Sequence, residues 1–410
     1  MVKDRKKRVR AKRSRSGGVD YISNLPDCLL CEVLSKLPTK DIVKTSVLST
    51  RWRNLWKDIP RLDLDGEDFP FYYVFVDFVN RFLDFNRDSY LDSFKLSYPG
   101  DGNWVPDISL IRRWIRAVIK LKVKHLDFVD DSGGSILFHI PSTIYTCQSL
   151  VSLKLCCVNV SILKSVSLTS LKDIDLNIVK FPDDLAIERF ISGCPVLENL
   201  VIRRPSYYDI EVLRVCSQSL LSFTHVTSSA RGFVEENLFV EIDAPKLEYL
   251  RIRDHRTANF IIKNHGSLVE LHLNTAWNLC YGNEFNPKRN MVCNFLGGIS
   301  RVKDMTISSS TLEVIYEYSR FKPLPLFCYL SSLRVKFYHC RWEILPIFLQ
   351  NCPNLKSLVL LQGSIKKMKK KKEISILSRP QCLLPSLEYV EIKRPLKWRG
   401  DGDETSGLLS

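Results

Sequence analysis

A six-residue phrase, L-x-x-L-x-L with other aliphatics substituting, recurs along most of this chain and limits its fold more than any other feature. It begins at Ile59–Leu62–Leu64 and continues through Leu91–Phe94–Leu96, Val123–Leu126–Phe128, Leu150–Leu153–Leu155, Leu171–Ile174–Leu176 and Leu197–Leu200–Ile202. After a weak copy near Leu220 it resumes at Leu247–Leu250–Ile252, Leu268–Leu271–Leu273, Val302–Met305–Ile307, Leu330–Leu333–Val335, Leu355–Leu358–Leu360 and Leu387–Val390–Ile392. The steps from Leu91 to Leu387 average about 27 residues. The closing L-x-L alternates sides as a strand does. A unit of this length has room for one strand and one returning segment, so stacked copies predict a solenoid with its strands side by side.

The segments between the phrases support that reading. Phe75, Phe78, Val79, Phe82 and Leu83 are spaced for one helical face, as are Ile111, Trp114, Ile115, Val118 and Ile119. Gly193-Cys194-Pro195-Val196-Leu197 and Asn351-Cys352-Pro353-Asn354-Leu355 introduce two of the units, and Ala244-Pro245-Lys246-Leu247 a third. Gly or Asn closes the preceding helix, Pro forbids its continuation, and Cys194 and Cys352 are expected to fill a small buried corner before the strand. The period is that of leucine-rich repeats, in which parallel strands line the concave face.

Charge is concentrated rather than spread. The 410 residues carry 60 Lys and Arg against 45 Asp and Glu, a formal charge of +15. Residues 3–15 (KDRKKRVRAKRSR) and 366–372 (KKMKKKK) account for all but one unit of that net charge. The body of the protein is therefore close to neutral, which argues against a surface built to coat nucleic acid. The first run has no interleaved aromatics for stacking on bases, and its density suits a nuclear import receptor. The second interrupts a connection between two repeats, where an exposed loop tolerates insertion. The 13 cysteines have no repeating paired spacing, and no stretch reaches a membrane span. A reduced chain in the nucleus, the cytoplasm or both is expected.

Residues 20–60 change character. Leu25-Pro26-Asp27 starts a helix with Asn24 as its cap, and Leu29, Leu30, Val33, Leu34 and Leu37 recur at helical spacing. Pro38 stops it. Thr39 is placed to cap a second helix carrying Ile42, Val43 and Val47, and Ser49 a third with Trp52, Leu55, Trp56 and Ile59 on one stripe. Such a module is either a cap on the next domain or a unit whose apolar faces need a partner.

The run DYISNLPDCLLCEVLSKLPTKDIVKTSVLSTRWRNLW resembles an F-box, the adaptor-binding motif of cullin–RING ubiquitin ligase receptors. With the repeats behind it, the layout is similar to the plant F-box/FBD/LRR-repeat proteins. Cys382-Leu383-Leu384-Pro385-Ser386-Leu387-Glu388-Tyr389-Val390-Glu391-Ile392 matches the opening strand of an FBD, with 18 residues after it that include a polar GDGDETSG stretch. The resemblance implies an α/β chain. It would have a basic tail at 1–18, a three-helix F-box at 19–60, irregular leucine-rich repeats at 61–378 and a shortened FBD-like segment at 379–410. It implies docking on the adaptor of an SCF-type ligase through positions matching Leu25, Pro26, Val33, Leu34, Pro38, Val43, Val47 and Trp52, which supply contact surface or shape it. The repeats would hold a target protein for ubiquitination. The alternative is an interaction scaffold without a ligase role.

No chemistry of the chain's own is expected. Cys28-Leu29-Leu30-Cys31 has a CxxC spacing but no second pair at zinc-finger distance, and Cys156-Cys157 and His339-Cys340 lie on or beside repeat strands. Nucleophile elbows, metalloprotease motifs and phosphate loops do not occur in the sequence, so neither a catalytic residue nor a cofactor or metal is assigned. The outward strand positions are acidic early, at Asp63, Asp65, Asp127 and Asp175, and basic in the middle, at Arg203, Arg251 and Arg253 and later Arg334 and Lys336. Arg203 and Arg251, two units apart, are expected roughly 10 Å from one another, close enough to hold an acidic or phosphorylated segment together.

Overall fold

The computed structural model describes residues 21, 22, 24–85, 90–98, 107–130, 138–161, 165–205, 211–228, 238–255, 257, 259–275, 285–337, 345–362 and 386–393. Both basic runs, His339-Cys340, Cys382 and the polar closing stretch lie outside the described residues.

Thirteen parallel strands form one sheet in chain order, from Arg61–Asp65 to Tyr389–Lys393. Each recurring phrase forms one of them, including the FBD-like segment, whose strand pairs with Ser357–Gln362. In-register pairing lays the leucines of successive units into continuous inward rows, such as Phe94 beside Leu126 and Leu126 beside Leu153. These side chains are almost wholly buried except in the last strand, where Val390 and Ile392 are exposed. The returning segments cover that inward face with helices at Tyr72–Phe85, Ile108–Lys120, Asp184–Ser192, Phe285–Gly298 and Ser309–Ser319. Strands repeat about every 4.8 Å while a helix is about 10 Å across, so helix-bearing units splay on the helical side and leave the sheet as the inner, concave surface.

The middle units depart from a strand-and-helix repeat. Val212–Cys216, Phe239–Asp243 and Asn259–Lys263 return as strands and make a second parallel sheet of three. The first two alternate with period two, as in Val212-Leu213-Arg214-Val215-Cys216, where Leu213 and Val215 are buried, whereas Asn259–Lys263 does not. A strand also needs fewer residues than a helix, matching the short step from Leu247 to Leu268.

The buried corners are as the sequence predicts. Cys194 and Cys352 are buried, and each thiol donates to a carbonyl four residues back, Phe190 at 3.2 Å and Phe348 at 3.4 Å. Burial pushes the Cys194 thiol up to about 12, so this sulfur is packing rather than a nucleophile. The weak copy near Leu220 has a physical cause: its inward positions are Phe223 and His225, and His225 interrupts the aliphatic row between Ile202 and Ile252. Its Nε2 lies 2.9 Å from Asp254 Oδ2, both groups wholly buried, and Asp254 also accepts from the Thr257 N–H at 3.0 Å. Among the described residues no helix is long and apolar enough to cross a membrane, and no three His, Cys, Asp or Glu side chains are grouped to hold a metal ion.

Candidate adaptor-docking and target-binding surfaces

The N-terminal module is a helix at Asp27–Leu34, a second at Thr39–Lys44 and two short 3-10 turns at Thr45–Val47 and Leu55–Asp58. The third expected helix is thus a single turn, because Trp52, Leu55 and Ile59 must all enter one small core that Leu30, Leu34 and Ile42 already line. Pro26 and Pro38 precede the two helices without side-chain caps. Neither Asn24 nor Thr39 plays the capping role expected of it.

Thr39 is used elsewhere. Its hydroxyl accepts from the Asp63 N–H at 2.8 Å, on the strand that opens the sheet. Arg61 of that strand donates back to the Ser35 carbonyl, Lys40 pairs with Asp68, and Trp56 stacks on Phe78 with ring centroids 5.9 Å apart. The module therefore covers an edge strand whose backbone groups would otherwise be open to pairing. It is a cap on the repeats on this side.

On its other surfaces it is apolar and uncovered. Val33 is 56% exposed, Val47 85% and Leu48 65%. Leu29 shares the face of Val33 one turn away and is also exposed, as are Pro26 and Pro38, while Leu25 and Val43 are half-buried. Arg51 fixes the start of this face by donating to Asp27 at 2.7 Å and to the Leu25 carbonyl. Of the eight positions expected at an adaptor interface, Leu34 and Trp52 lie in the module's own core, at 1% and 7% exposure, and can only shape it. Leu29 and Leu48 are additional exposed apolar groups. Helical spacing marks Leu29 as part of one apolar stripe with Leu30, Val33 and Leu34 without saying which of the four is exposed, and it gives no signal for Leu48.

The outward face of the sheet is ordered by register. One row runs Asp63, Lys95, Asp127, Lys154, Asp175 across five adjacent strands. The expected acidic stripe is therefore an alternation of sign: Lys95 lies 3.3 Å from Asp63, and Lys95 and Lys154 oppose the upward push that burial gives the Asp127 carboxyl. Arg203 extends this neutralised half, because its guanidinium is bound to Asp175. Register also places the arginines of the open face. Arg203 shares its row with Arg253 through Val226, whereas Arg251 lies beside Thr224 and in line with Val201. Arg203 and Arg251 therefore sit two strands apart and two residues out of register, with the Arg203 guanidinium bound to Asp175.

A different set converges. One row runs Arg251, His272, Thr306, Arg334 over four adjacent strands, and beside it Arg253 pairs with Asn274 and Ser308 with Lys336. Arg251, Arg253, His272, Asn274, Ser308 and Lys336 line a single depression on the face. Glu270, 2.8 Å from His272, lies toward the other end of the strands.

Comparison with known proteins finds matches for both the N-terminal module and the repeats. A family model for the F-box domain matches residues 22–64, and one described as "FBD-associated F-box protein At5g56370, LRR repeats" matches residues 111–271. The chain is 57% identical to F-box/LRR-repeat protein 13 of Arabidopsis thaliana, over 97% of this chain and 88% of that protein. It is 54% identical to F-box/FBD/LRR-repeat protein At1g78750, over 95% and 86%, and 50% identical to FBD-associated F-box protein At1g66310, over 97% and 88%, both from the same plant.

Proposed function

The chain belongs to the plant F-box/FBD/LRR-repeat family, and from that premise we propose that it is the substrate receptor of an SCF-type ubiquitin ligase. The F-box docks on the adaptor subunit, and the open face of the repeats holds the target protein. The observation that carries this reading is the two-sidedness of the F-box. Ser35, Thr39, Lys40 and Trp56 bind it to the first units of the solenoid, while Leu29, Val33, Val47 and Leu48 stand exposed. Covering these four side chains contributes roughly 1.5–3 kcal/mol each, about 6–12 kcal/mol together, a gross gain on the scale of the ~8 kcal/mol of a micromolar complex.

The chain's contribution to ubiquitin transfer is proximity and not bond chemistry. A target held on a solenoid fixed to the docked F-box meets the charged ubiquitin carrier as if intramolecularly. Affinity purification of the tagged protein with and without proteasome inhibition tests the proposal. The adaptor should be recovered in both, with a set of proteins that accumulates only under inhibition.

A further inference from the structure

The strand Ser152–Cys156 runs into two adjacent cysteines whose sulfurs lie 3.7 Å apart. Successive residues of a continuing strand point to opposite faces, which would keep two such thiols well separated. Cys157 instead leaves the strand with a φ of 57°, in the left-handed region, and its thiol comes back toward Cys156. The sheet sets this turn. Ile178 stands at the same place one unit on with a φ of 55°, although a β-branched side chain fits that region poorly. In both units the backbone N–H donates to the strand that follows, Cys157 to the Asn177 carbonyl at 2.9 Å and Ile178 to the Arg203 carbonyl at 2.8 Å.

The pair sits at the open face. Leu153 and Leu155 of the strand are buried inward, so Cys156 alternates outward, in register with Val129 on one side and Asn177 on the other. Both cysteines are half-buried and neither is in a disulfide. Asn177 Nδ2 donates to Cys156 Sγ at 3.2 Å, a donor placed where negative charge gathers on a thiolate. Cys194 and Cys352 have a different setting: both are buried, and each thiol is spent on a backbone carbonyl.

We propose that Cys156 and Cys157 are a redox-modification site, oxidised by a hydroperoxide to a disulfide between the two. The Cys156 thiolate attacks the terminal oxygen of the peroxide; the O–O bond breaks, an alcohol or water leaves, and Cys156 becomes a sulfenic acid. The Cys157 thiolate attacks that sulfur; the S–S bond forms, the S–O bond breaks, and the hydroxide leaves as water after taking up a proton. In all, the two thiols lose two electrons and two protons, and the peroxide gains them. The bond is suited to reversal. Adjacent Cα atoms are about 3.8 Å apart, short of the roughly 4.4 Å at which disulfides ordinarily begin, so ring closure is strained and the bond is readily reduced. The smallest possible loop also restrains the unfolded chain least, so the disulfide adds little stability. This chemistry does not depend on the receptor reading, although it would lie on the face which that reading gives to the target.

The test treats the full-length protein with equimolar hydrogen peroxide, alkylates it with iodoacetamide and follows the tryptic peptide 155–164, which holds these two cysteines and no other. That peptide should lose the mass of two hydrogens and escape alkylation, and dithiothreitol should restore both thiols. Phenylarsine oxide, which bonds two neighbouring thiols with loss of water, should protect both cysteines from alkylation without any oxidant. In Cys157→Ser the arsenical should no longer protect Cys156, and dimedone should trap Cys156 as its sulfenic acid. Asn177→Ala should slow the oxidation of Cys156 about threefold or more. Full alkylation of both cysteines after peroxide, a disulfide from either one to a third cysteine, or failure of the arsenical to protect the parent overturns the proposal. So does a Cys157→Ser variant, matched to the parent in unfolding midpoint, that yields no dimedone adduct on Cys156. The parent measurements decide by themselves if that variant fails to fold.

Discussion

The Asp63 N–H and the Thr39 hydroxyl meet at 2.8 Å across the seam between the F-box and the first strand of the sheet. Thr39 is 3% exposed, so no solvent replaces it if it is lost. Thr39→Val keeps the shape and removes the acceptor, leaving a buried donor unmade. We expect a loss of about 1–3 kcal/mol in denaturant unfolding. A variant as stable as the parent would mean that this contact does not join the two parts.

Val33 and Leu34 are neighbours in one helix with opposite fates. Val33→Asp should leave the unfolding midpoint within about 0.5 kcal/mol of the parent and weaken adaptor binding. Leu34→Ala should instead destabilise the F-box by about 2–5 kcal/mol. Equal effects of the two on stability would contradict the division into an exposed and a core face.

Gly193 closes the Asp184–Ser192 helix where an earlier segment, around Val166, passes against it. A Cβ built there would lie 2.4 Å from Val166 Cγ1 and 2.9 Å from the Val166 carbonyl oxygen. The backbone must shift to admit even a methyl group. Gly193→Ala should cost about 1–3 kcal/mol, measurable as a lowered urea midpoint.

Burial holds His225 below its ordinary pKa, opposed by the bond to Asp254 and assisted by the charge of Arg204. Folded His225 stays neutral while the unfolded chain takes up a proton as pH falls through about 6.5, so stability should decline below that pH. His255 and His272 are lowered by burial too and act in the same direction. The raised carboxyl of Asp127 acts oppositely, in the more acidic range where carboxylates titrate. Urea midpoints at pH 7.5 and 5.5 should differ, and His225→Gln should reduce the difference. A midpoint independent of pH across this interval would contradict the account.

The strands were legible because burial of a sheet face leaves a period-two mark that chain length cannot blur. Even the faint copy at Leu220 becomes a strand, and its faintness records the polar pair His225 and Asp254. The return segments at Val212–Cys216 and Asn259–Lys263 were less legible, since helix and strand bury similar apolar content there. Charge on the open face was misjudged for a different reason. Asp63, Lys95 and Asp127 are neighbours only after three strands align, and a stretch of about 30 residues separates each from the next in sequence. The depression lined by Arg251 and Lys336 depends on the same long-range register. In the F-box, helical spacing located the apolar residues but could not say which of Val33 and Leu34 faces inward, because both fit a two-turn stripe.

Direct titration of the full-length protein with a purified SCF adaptor subunit tests the central claim most simply. The account predicts a one-to-one complex of micromolar affinity or tighter. It also predicts loss of that complex in a Val33→Asp, Val47→Asp variant whose circular dichroism and unfolding midpoint match the parent. Absence of binding by the folded parent, or full binding by that variant, would contradict it.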